Sequence, residues 1–301
     1  MTILKFTKYI RKYLRRHEKI LIVILGEILR FSGIARLISH YNERIRIPGC
    51  YILVYHRVAD ERHESVSASV KNFSRQISFL NKYFSIITME RLINSIKNRE
   101  PLPLNSIVIT FDDGYKDVFT NAYPILKKYN IPATVFITTD YIEGSGVRGQ
   151  GSRMKMDLPL APCPLPLIML SWEDILEMIG NNISIGSHSV SHPKLSLIAD
   201  DEVEIEVKKS KDIIQRHIKR DITCFSYPYG GRVFFNEKIK EMLKRNGYQC
   251  ACSTIYGIND LNSDLFELKR IPIEYYEDET IFMIKVFGLL NPLARFMDRF
   301  L

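Results

Sequence analysis

The chain has 301 residues, 46% of them hydrophobic and 25% charged, the balance of an ordinary globular protein long enough for one large core. Its formal net charge of +8 suits nucleic acid, anionic lipid or an acidic glycan, and by itself selects none of them. Five cysteines, Cys50, Cys163, Cys224, Cys250 and Cys252, give no even disulfide framework and no pair of Cys-x-x-Cys zinc units, so they read as small buried hydrophobes of a reducing compartment.

The positive charge crowds the start of the chain, at Lys5, Lys8, Arg11, Lys12, Arg15 and Arg16. The apolar run that follows, Ile20 to Leu25, stops at Gly26 and Glu27, and Arg30 and Arg36 interrupt the rest. A spanning helix needs about 20 apolar residues, and no small-residue cleavage site follows. Residues 1–45 are therefore expected to form a basic amphipathic helical appendage that lies on an anionic membrane surface. The alternative is a helix packed on the remaining domain, 46–301. No basic motif interleaved with aromatics appears, so no nucleic-acid partner is expected. The expected location is cytoplasmic, peripheral at the inner membrane surface, with export left open.

From Cys50 onward, short apolar runs alternate with segments of helical period. The expected strands are Cys50 to Tyr55, Phe84 to Ile87, Ser106 to Phe111, Ala133 to Ile137, Ile183 to Ile185, Ile222 to Phe225, Gln249 to Ser253 and Leu268 to Ile273. Between them the period predicts helices over Phe73 to Tyr83, Met89 to Lys97, Val118 to Tyr129, Trp172 to Ile179, Asp201 to His217 and Glu237 to Asn246. Ser171 and Asp174 form a capping pair for the fourth helix, and Gly247 stops the sixth. The stretch Glu143 to Met169 carries four glycines followed by four prolines without any period, so it reads as a long loop forming a lid or substrate rim. Strand-helix alternation on this scale implies a parallel sheet, here an irregular (β/α) barrel of about seven or eight strands.

Two motifs carry chemistry. Phe111-Asp112-Asp113-Gly114 ends the third expected strand, and Ser187-His188-Ser189-Val190-Ser191-His192-Pro193 follows the fifth. A buried strand that ends in two carboxylates is costly unless a cation or a reaction needs them. In a regular strand the two aspartates would point to opposite faces, so aiming both at one site requires the backbone to leave strand geometry, which Gly114 allows. His188 and His192 stand four apart. With one aspartate they make a two-histidine, one-carboxylate set, a common holder of zinc or a similar divalent ion with a position left for water. Asp112, Asp113, His188, Tyr229 and His56 all fall just after expected strands, where a parallel barrel gathers its active site.

Thr110 to Gly114 and His188 to Pro193 resemble the first two motifs of the polysaccharide deacetylases with a NodB homology domain. Ser226-Tyr227-Pro228-Tyr229-Gly230 resembles the third. Leu53-Val54-Tyr55-His56-Arg57-Val58 is similar to the amino-terminal segment of the poly-β-1,6-N-acetylglucosamine N-deacetylase branch. The resemblance runs from about Cys50 to Ile273. It implies a hydrolase that removes N-acetyl groups from an N-acetylated glycan, with a divalent metal (zinc first; cobalt, nickel or iron as alternatives) on Asp113, His188 and His192. Asp112 would then be the general base and the Tyr229 N–H an oxyanion donor. The chain departs from the broader family twice. No histidine follows His217, and the resemblance to the N-acetylglucosamine branch implies that His56, on a first strand that borders the last in a closed barrel, takes the acid role. Ser226 also stands where the family carries an arginine, which leaves Arg270 and Arg57 as candidates to orient Asp112. Tyr115, Trp172 and Arg270 are assigned to substrate binding, and Tyr229 too offers a stacking wall for sugar. An O-acetyl glycan esterase and a catalytically silent glycan-binding member remain as rival readings. A non-haem iron oxygenase shares the ligand set but spaces its histidine and carboxylate one residue apart, unlike Asp113 and His188.

Overall fold

The unbroken buried run Cys50–Tyr55 forms strand β1, and Ser106–Phe111 forms β5 with every residue buried. They pair in parallel from Cys50↔Ser106 to Tyr55↔Phe111. Strands covered on both faces in a parallel sheet are apolar throughout, and that is why these two segments show no alternation. The computed structural model describes residues 47, 49–60, 67–142, 168–275 and 277–288. The expected amphipathic helix at 1–45 and most of the expected lid, 143–167, lie outside them.

The chain divides into two compact units, Pro48–Tyr276 and a second made of Met1–Ile47 and Glu277–Leu301. The first unit holds the barrel. Its other elements, in chain order, are β2 (Arg57–Val58), β3 (Ser67–Ala68), α1 (Val70–Tyr83), β4 (Ser85–Ile86), α2 (Met89–Asn98), α3 (Tyr123–Lys128), β6 (Ala133–Ile137), α4 (Trp172–Ile179), β7 (Ile183–Ser187), α5 (Asp200–Ile218), β8 (Cys224–Ser226), α6 (Glu237–Arg245), β9 (Cys250–Cys252) and β10 (Ile271–Pro272). In the second unit the described residues form α7 (Glu279–Val286), capped by the Asp278 side chain, with an ion pair between buried Glu277 and Lys285.

The eight-stranded sheet runs β10-β1-β5-β6-β7-β8-β9, with β4 beside the start of β5. Every pairing in it is parallel. Leu268 bridges Cys252 in β9, and Ile271 and Pro272 then pair with Leu53 and Val54 in β1. The segment expected as one strand, Leu268 to Ile273, thus changes partner midway and closes the ring, placing the last strand against the first. Helices α1 and α2 are amphipathic and bury Phe73, Ile77 and Leu80, and Leu92, Ile93 and Ile96. Each such side chain contributes about 1.5–3 kcal/mol when fully buried. Among the described residues Cys50, Cys224, Cys250 and Cys252 are free and buried in the core, as expected of small hydrophobes.

Local signals explain most element ends. Ser171 accepts from the Asp174 N–H at 3.3 Å while Asp174 Oδ2 accepts from the Ser171 N–H at 2.8 Å, the reciprocal cap that starts α4. Gly247, at φ +74, ends α6, with its N–H on the Lys244 carbonyl and the Tyr248 N–H on that of Leu243. The expected helix Val118 to Tyr129 is divided. A wide turn over Val118–Ala122 precedes α3, and the Tyr123 N–H reaches back to the Val118 carbonyl. Pro124, in the first turn of α3, lacks the N–H a regular helix would use there.

Candidate metal centre and active site

Asp112 and Asp113 leave the end of β5 through a tight turn in which the Gly114 N–H donates to the Asp112 carbonyl at 3.0 Å. Asp113 itself takes φ 72 and Gly114 φ 86. The sequence reading placed the left-handed step on the glycine, whereas the aspartate shares it. Ser189 (φ 68), His192 (φ 61) and Tyr229 (φ 63) adopt the same region. Such conformations cost on the order of 1–3 kcal/mol each and gather where side chains must be aimed.

The loop after β7 carries both histidines. The His188 N–H donates to the Ile137 carbonyl and the His192 N–H to Ser189 Oγ at 3.0 Å. Glu206 of α5 holds the loop from below, accepting from the N–H groups of Val190 (2.8 Å) and Ser191 (2.9 Å) and from Ser191 Oγ (2.7 Å). His188 Nδ1 donates to the Ser226 carbonyl at 2.7 Å, since a carbonyl only accepts. That bond fixes the tautomer and turns the Nε2 lone pair into the site.

His188 Nε2 lies 3.3 Å and His192 Nε2 3.5 Å from the same oxygen, Asp113 Oδ1. That oxygen is buried and accepts no hydrogen bond among the described residues. The three ligand atoms all fall within 4.8 Å of one another. Ligands ~2.0–2.1 Å from a tetrahedral centre stand ~3.3–3.4 Å apart, close to both observed separations. An anionic oxygen buried with no donor, facing two imidazole nitrogens at ligand spacing, fits a divalent cation. Burial raises the Asp113 carboxyl, but the imidazoles of His188, His56 and His192 more than reverse this and hold it well below the usual range. Burial and the neighbouring His188 push His192 down to about 4, so at neutral pH its ring is uncharged, as a ligand must be. For His188 burial acts in the same downward sense, but Asp112 and Asp113 outweigh it and raise the pKa.

Asp112 faces inward from the same turn. Arg270, fully buried just before β10, grips it with Nη1 on Oδ1 at 2.8 Å and Nη2 on Oδ2 at 2.7 Å. Ser226 Oγ donates to Oδ2 at 3.2 Å and accepts from Arg270 Nη2 at 2.9 Å, while Arg270 Nε holds the Ser253 carbonyl at 2.8 Å. Burial raises the Asp112 carboxyl, and Arg270, with smaller help from His188 and His56, overcomes this and keeps it below its ordinary value. Oδ1 keeps a lone pair, since Arg270 Nη1 is its one hydrogen-bond donor among the described residues. Arg270 is therefore a positioning residue. With no exposed surface it cannot take the substrate-binding role also expected of it. The other candidate, Arg57, pairs with Asp117 at 2.6 Å and lies over the Tyr115 ring.

His56, just past β1, has a buried Nδ1 without a hydrogen-bond partner among the described residues. Tyr229 is 43% exposed, its ring 4.9 Å from that of His192. The other two residues expected as sugar walls are both buried. Tyr115 is buried in a bridge to Met169. Trp172 is buried with its ring stacked on His217 at 4.0 Å. Both sit at loop or helix starts where an aromatic is equally good at packing. Sequence reasoning missed Tyr141, whose hydroxyl donates to the Ser191 carbonyl at 3.3 Å. Burial first, then the charges of Asp113 and Tyr229, push its hydroxyl up. It also missed Glu206, whose role depends on a helix packing under the loop and leaves no local signal.

The polysaccharide deacetylase family model matches residues 99–251, half of the chain, and spans both aspartates, both histidines and Tyr229. The Bacillus subtilis protein YxkH is 27% identical over 224 residues, covering 74% of this chain and 70% of that protein. The poly-β-1,6-N-acetyl-D-glucosamine N-deacetylase of Staphylococcus epidermidis is 25% identical over 228 residues, 72% of either chain. Among solved structures, the Streptococcus pyogenes deacetylase PplD superposes with a TM-score of 0.65 at 23% identity, covering 80% of this chain and 98% of that one. IcaB from Ammonifex degensii gives 0.63 at 20% identity, covering 81% and 98%. The family model covers half of the chain and takes in the paired-aspartate turn and the two-histidine loop, the fold is shared with these solved deacetylases, and the chain belongs to the polysaccharide deacetylase family.

Proposed function

We propose that this enzyme is a metal-dependent N-deacetylase that removes acetyl groups from the amino sugars of an N-acetylated glycan, with poly-β-1,6-N-acetylglucosamine the first substrate to test. The observation that carries the reading is the buried Asp113 Oδ1, without a donor and faced by two imidazole nitrogens at ligand spacing. Asp113, His188 and His192 would hold the ion, zinc first, with cobalt, nickel or iron as alternatives. A divalent ion in such a site lowers the pKa of water and polarises an acyl oxygen.

The side chains divide the remaining work. Asp112 stays ionised because Arg270 grips both its oxygens, and the open lone pair on Oδ1 takes the proton that water loses. The same grip lowers its basicity, so Asp112 is matched to an already acidified water. The backbone N–H of Tyr229, in the rigid turn after Pro228, donates to the oxyanion. His56 gives a proton to the departing amine. Arg270, reaching in from the last strand, fills the place of the arginine that the third motif lacks, which removes the main argument for a silent member. The membrane-surface role of residues 1–45 and a cytoplasmic, peripheral location form part of the same proposal, resting on the basic charge near the start of the chain.

Acetate release from N-acetyl and O-acetyl glycan oligomers, measured across pH for the wild type and His56→Ala, tests this reading. An amide needs a protonated leaving group and an activated ester does not. His56→Ala is therefore expected to lose at least ~10-fold more activity on the amide than on an activated ester, and to flatten the basic limb of the amide profile. Equal losses, or an unchanged basic limb, would leave His56 a packing residue of the first strand. Faster release from O-acetyl than from N-acetyl oligomers would favour the esterase.

A further inference from the structure

Lys194 lies two residues past the ligand His192, on the rim of the site. Its Nζ stands 5.0 Å from the centroid of the Tyr229 ring and 5.7 Å from that of Phe234. The two rings lie 5.5 Å apart, and Tyr229 in turn packs 4.9 Å from the His192 ring. The rim is built rather than loose. Ser196 Oγ donates to the Val233 carbonyl at 2.6 Å and joins the two turns. Thr254 Oγ1 donates to the Tyr229 carbonyl at 3.0 Å, and the Thr254 N–H donates to that of Gly230 at 2.9 Å. None of the ion pairs among the described residues includes Lys194, and Glu206, tied into the same loop, is engaged by Val190 and Ser191. An exposed lysine ammonium set against two aromatic rings therefore borders the candidate metal centre, one of them that of Tyr229, a residue 43% exposed.

We propose that Lys194, Tyr229 and Phe234 form a glycan subsite beside the metal centre, in which the Lys194 ammonium makes the enzyme favour N-acetylated over already deacetylated neighbouring sugars. The inference rests on the N-deacetylase reading. In that reaction water adds to the acetamide carbonyl, the C–N bond breaks, acetate leaves, and the amine takes up a proton. Each turnover thus exchanges a neutral group for a cationic one on the chain. The apolar face of a neutral sugar stacks on Tyr229, whereas an ammonium brought within several ångströms of Lys194 meets a like charge. At an effective dielectric between that of the protein surface and that of water, the repulsion amounts to about 3- to 10-fold in binding. Deacetylation would then be spaced along the glycan rather than run in blocks.

The test compares kcat/KM for acetate release from a fully acetylated β-1,6-linked N-acetylglucosamine oligomer with that from the same oligomer carrying one free amine next to an acetylated unit. The wild type is expected to favour the first by at least about 3-fold, and the preference should shrink as salt rises to about 0.5 M. Lys194→Met should bring the ratio close to one, Lys194→Glu should reverse it, and Lys194→Arg should keep it. Release with no preference in the wild type, or a ratio that survives Lys194→Met, overturns the subsite alone. No acetate from either oligomer overturns the N-deacetylase reading, and the subsite with it.

Discussion

Arg270→Ala is expected to destabilise the barrel by about 3–5 kcal/mol at neutral pH, because it leaves the Asp112 carboxylate buried and unpaired. Asp112 is 2% exposed and Arg270 fully buried, so water replaces neither partner. The pH dependence identifies the cause. In the wild type Arg270 holds the Asp112 carboxyl below its ordinary value. The pair's contribution is thus present above the unfolded pKa of about 3.9 and is lost as pH falls through the lower folded value. In the variant burial is opposed only by the smaller pull of His188 and His56, so the carboxyl is expected to rise and the folded state to bind a proton more tightly than the unfolded chain. Stability is then lost as pH rises through that interval. The gap between the two proteins should be widest near pH 7 and narrow below about pH 4. Urea unfolding at both pH values measures it. A loss under about 1 kcal/mol at pH 7, or the same loss at both, would show that Asp112 finds another partner or is protonated in the native enzyme. Arg270→Lys keeps the charge but not the two-pronged grip, and is expected to recover only part of the loss.

The second large effect is on turnover. Asp112→Asn removes the ionised oxygen but keeps the shape and the hydrogen bonds from Ser226 and from one arm of Arg270. Asp113, His188 and His192 remain to hold the ion. The variant is expected to retain metal and to lose at least about 10²-fold in kcat, the scale of a positioned general base. Metal content and kcat measured on one preparation separate the outcomes. Near-normal turnover would mean that the base lies elsewhere. Loss of metal together with activity would mean that the two aspartates hold each other's roles.

How much of this was legible in the sequence follows from where each signal resides. The strands Cys50–Tyr55, Ser106–Phe111 and Ala133–Ile137 were readable to the residue, because central parallel strands are apolar on both faces. The helix Trp172–Ile179 was equally clear, since its cap is written in Ser171 and Asp174. That Asp113, His188 and His192 would meet was legible, because each stands in a turn or loop that follows a strand and barrel closure brings those ends together. Long-range pairing was not. Arg270 and Asp112 stand 158 positions apart, and no period links them; the missing arginine of the third motif raised the question without answering it. The burial of Tyr115 and Trp172 was not legible either, because composition and position do not reveal which way an aromatic faces. Strands as short as Arg57–Val58 and Ser67–Ala68 offer no alternation to read.

The central claim is that Asp113, His188 and His192 hold a divalent ion on which deacetylation depends. Elemental analysis of the purified wild type and of the His188→Ala, His192→Ala double variant, with acetate release from an N-acetylglucosamine oligomer measured on the same samples, tests it most directly. The account predicts about one equivalent of metal per wild-type chain, no stoichiometric metal in the double variant, and loss of activity in step with the ion, recovered in the wild type when metal is removed and restored. A double variant that keeps stoichiometric metal, or a wild type that releases acetate at full rate after its metal is removed, would contradict it.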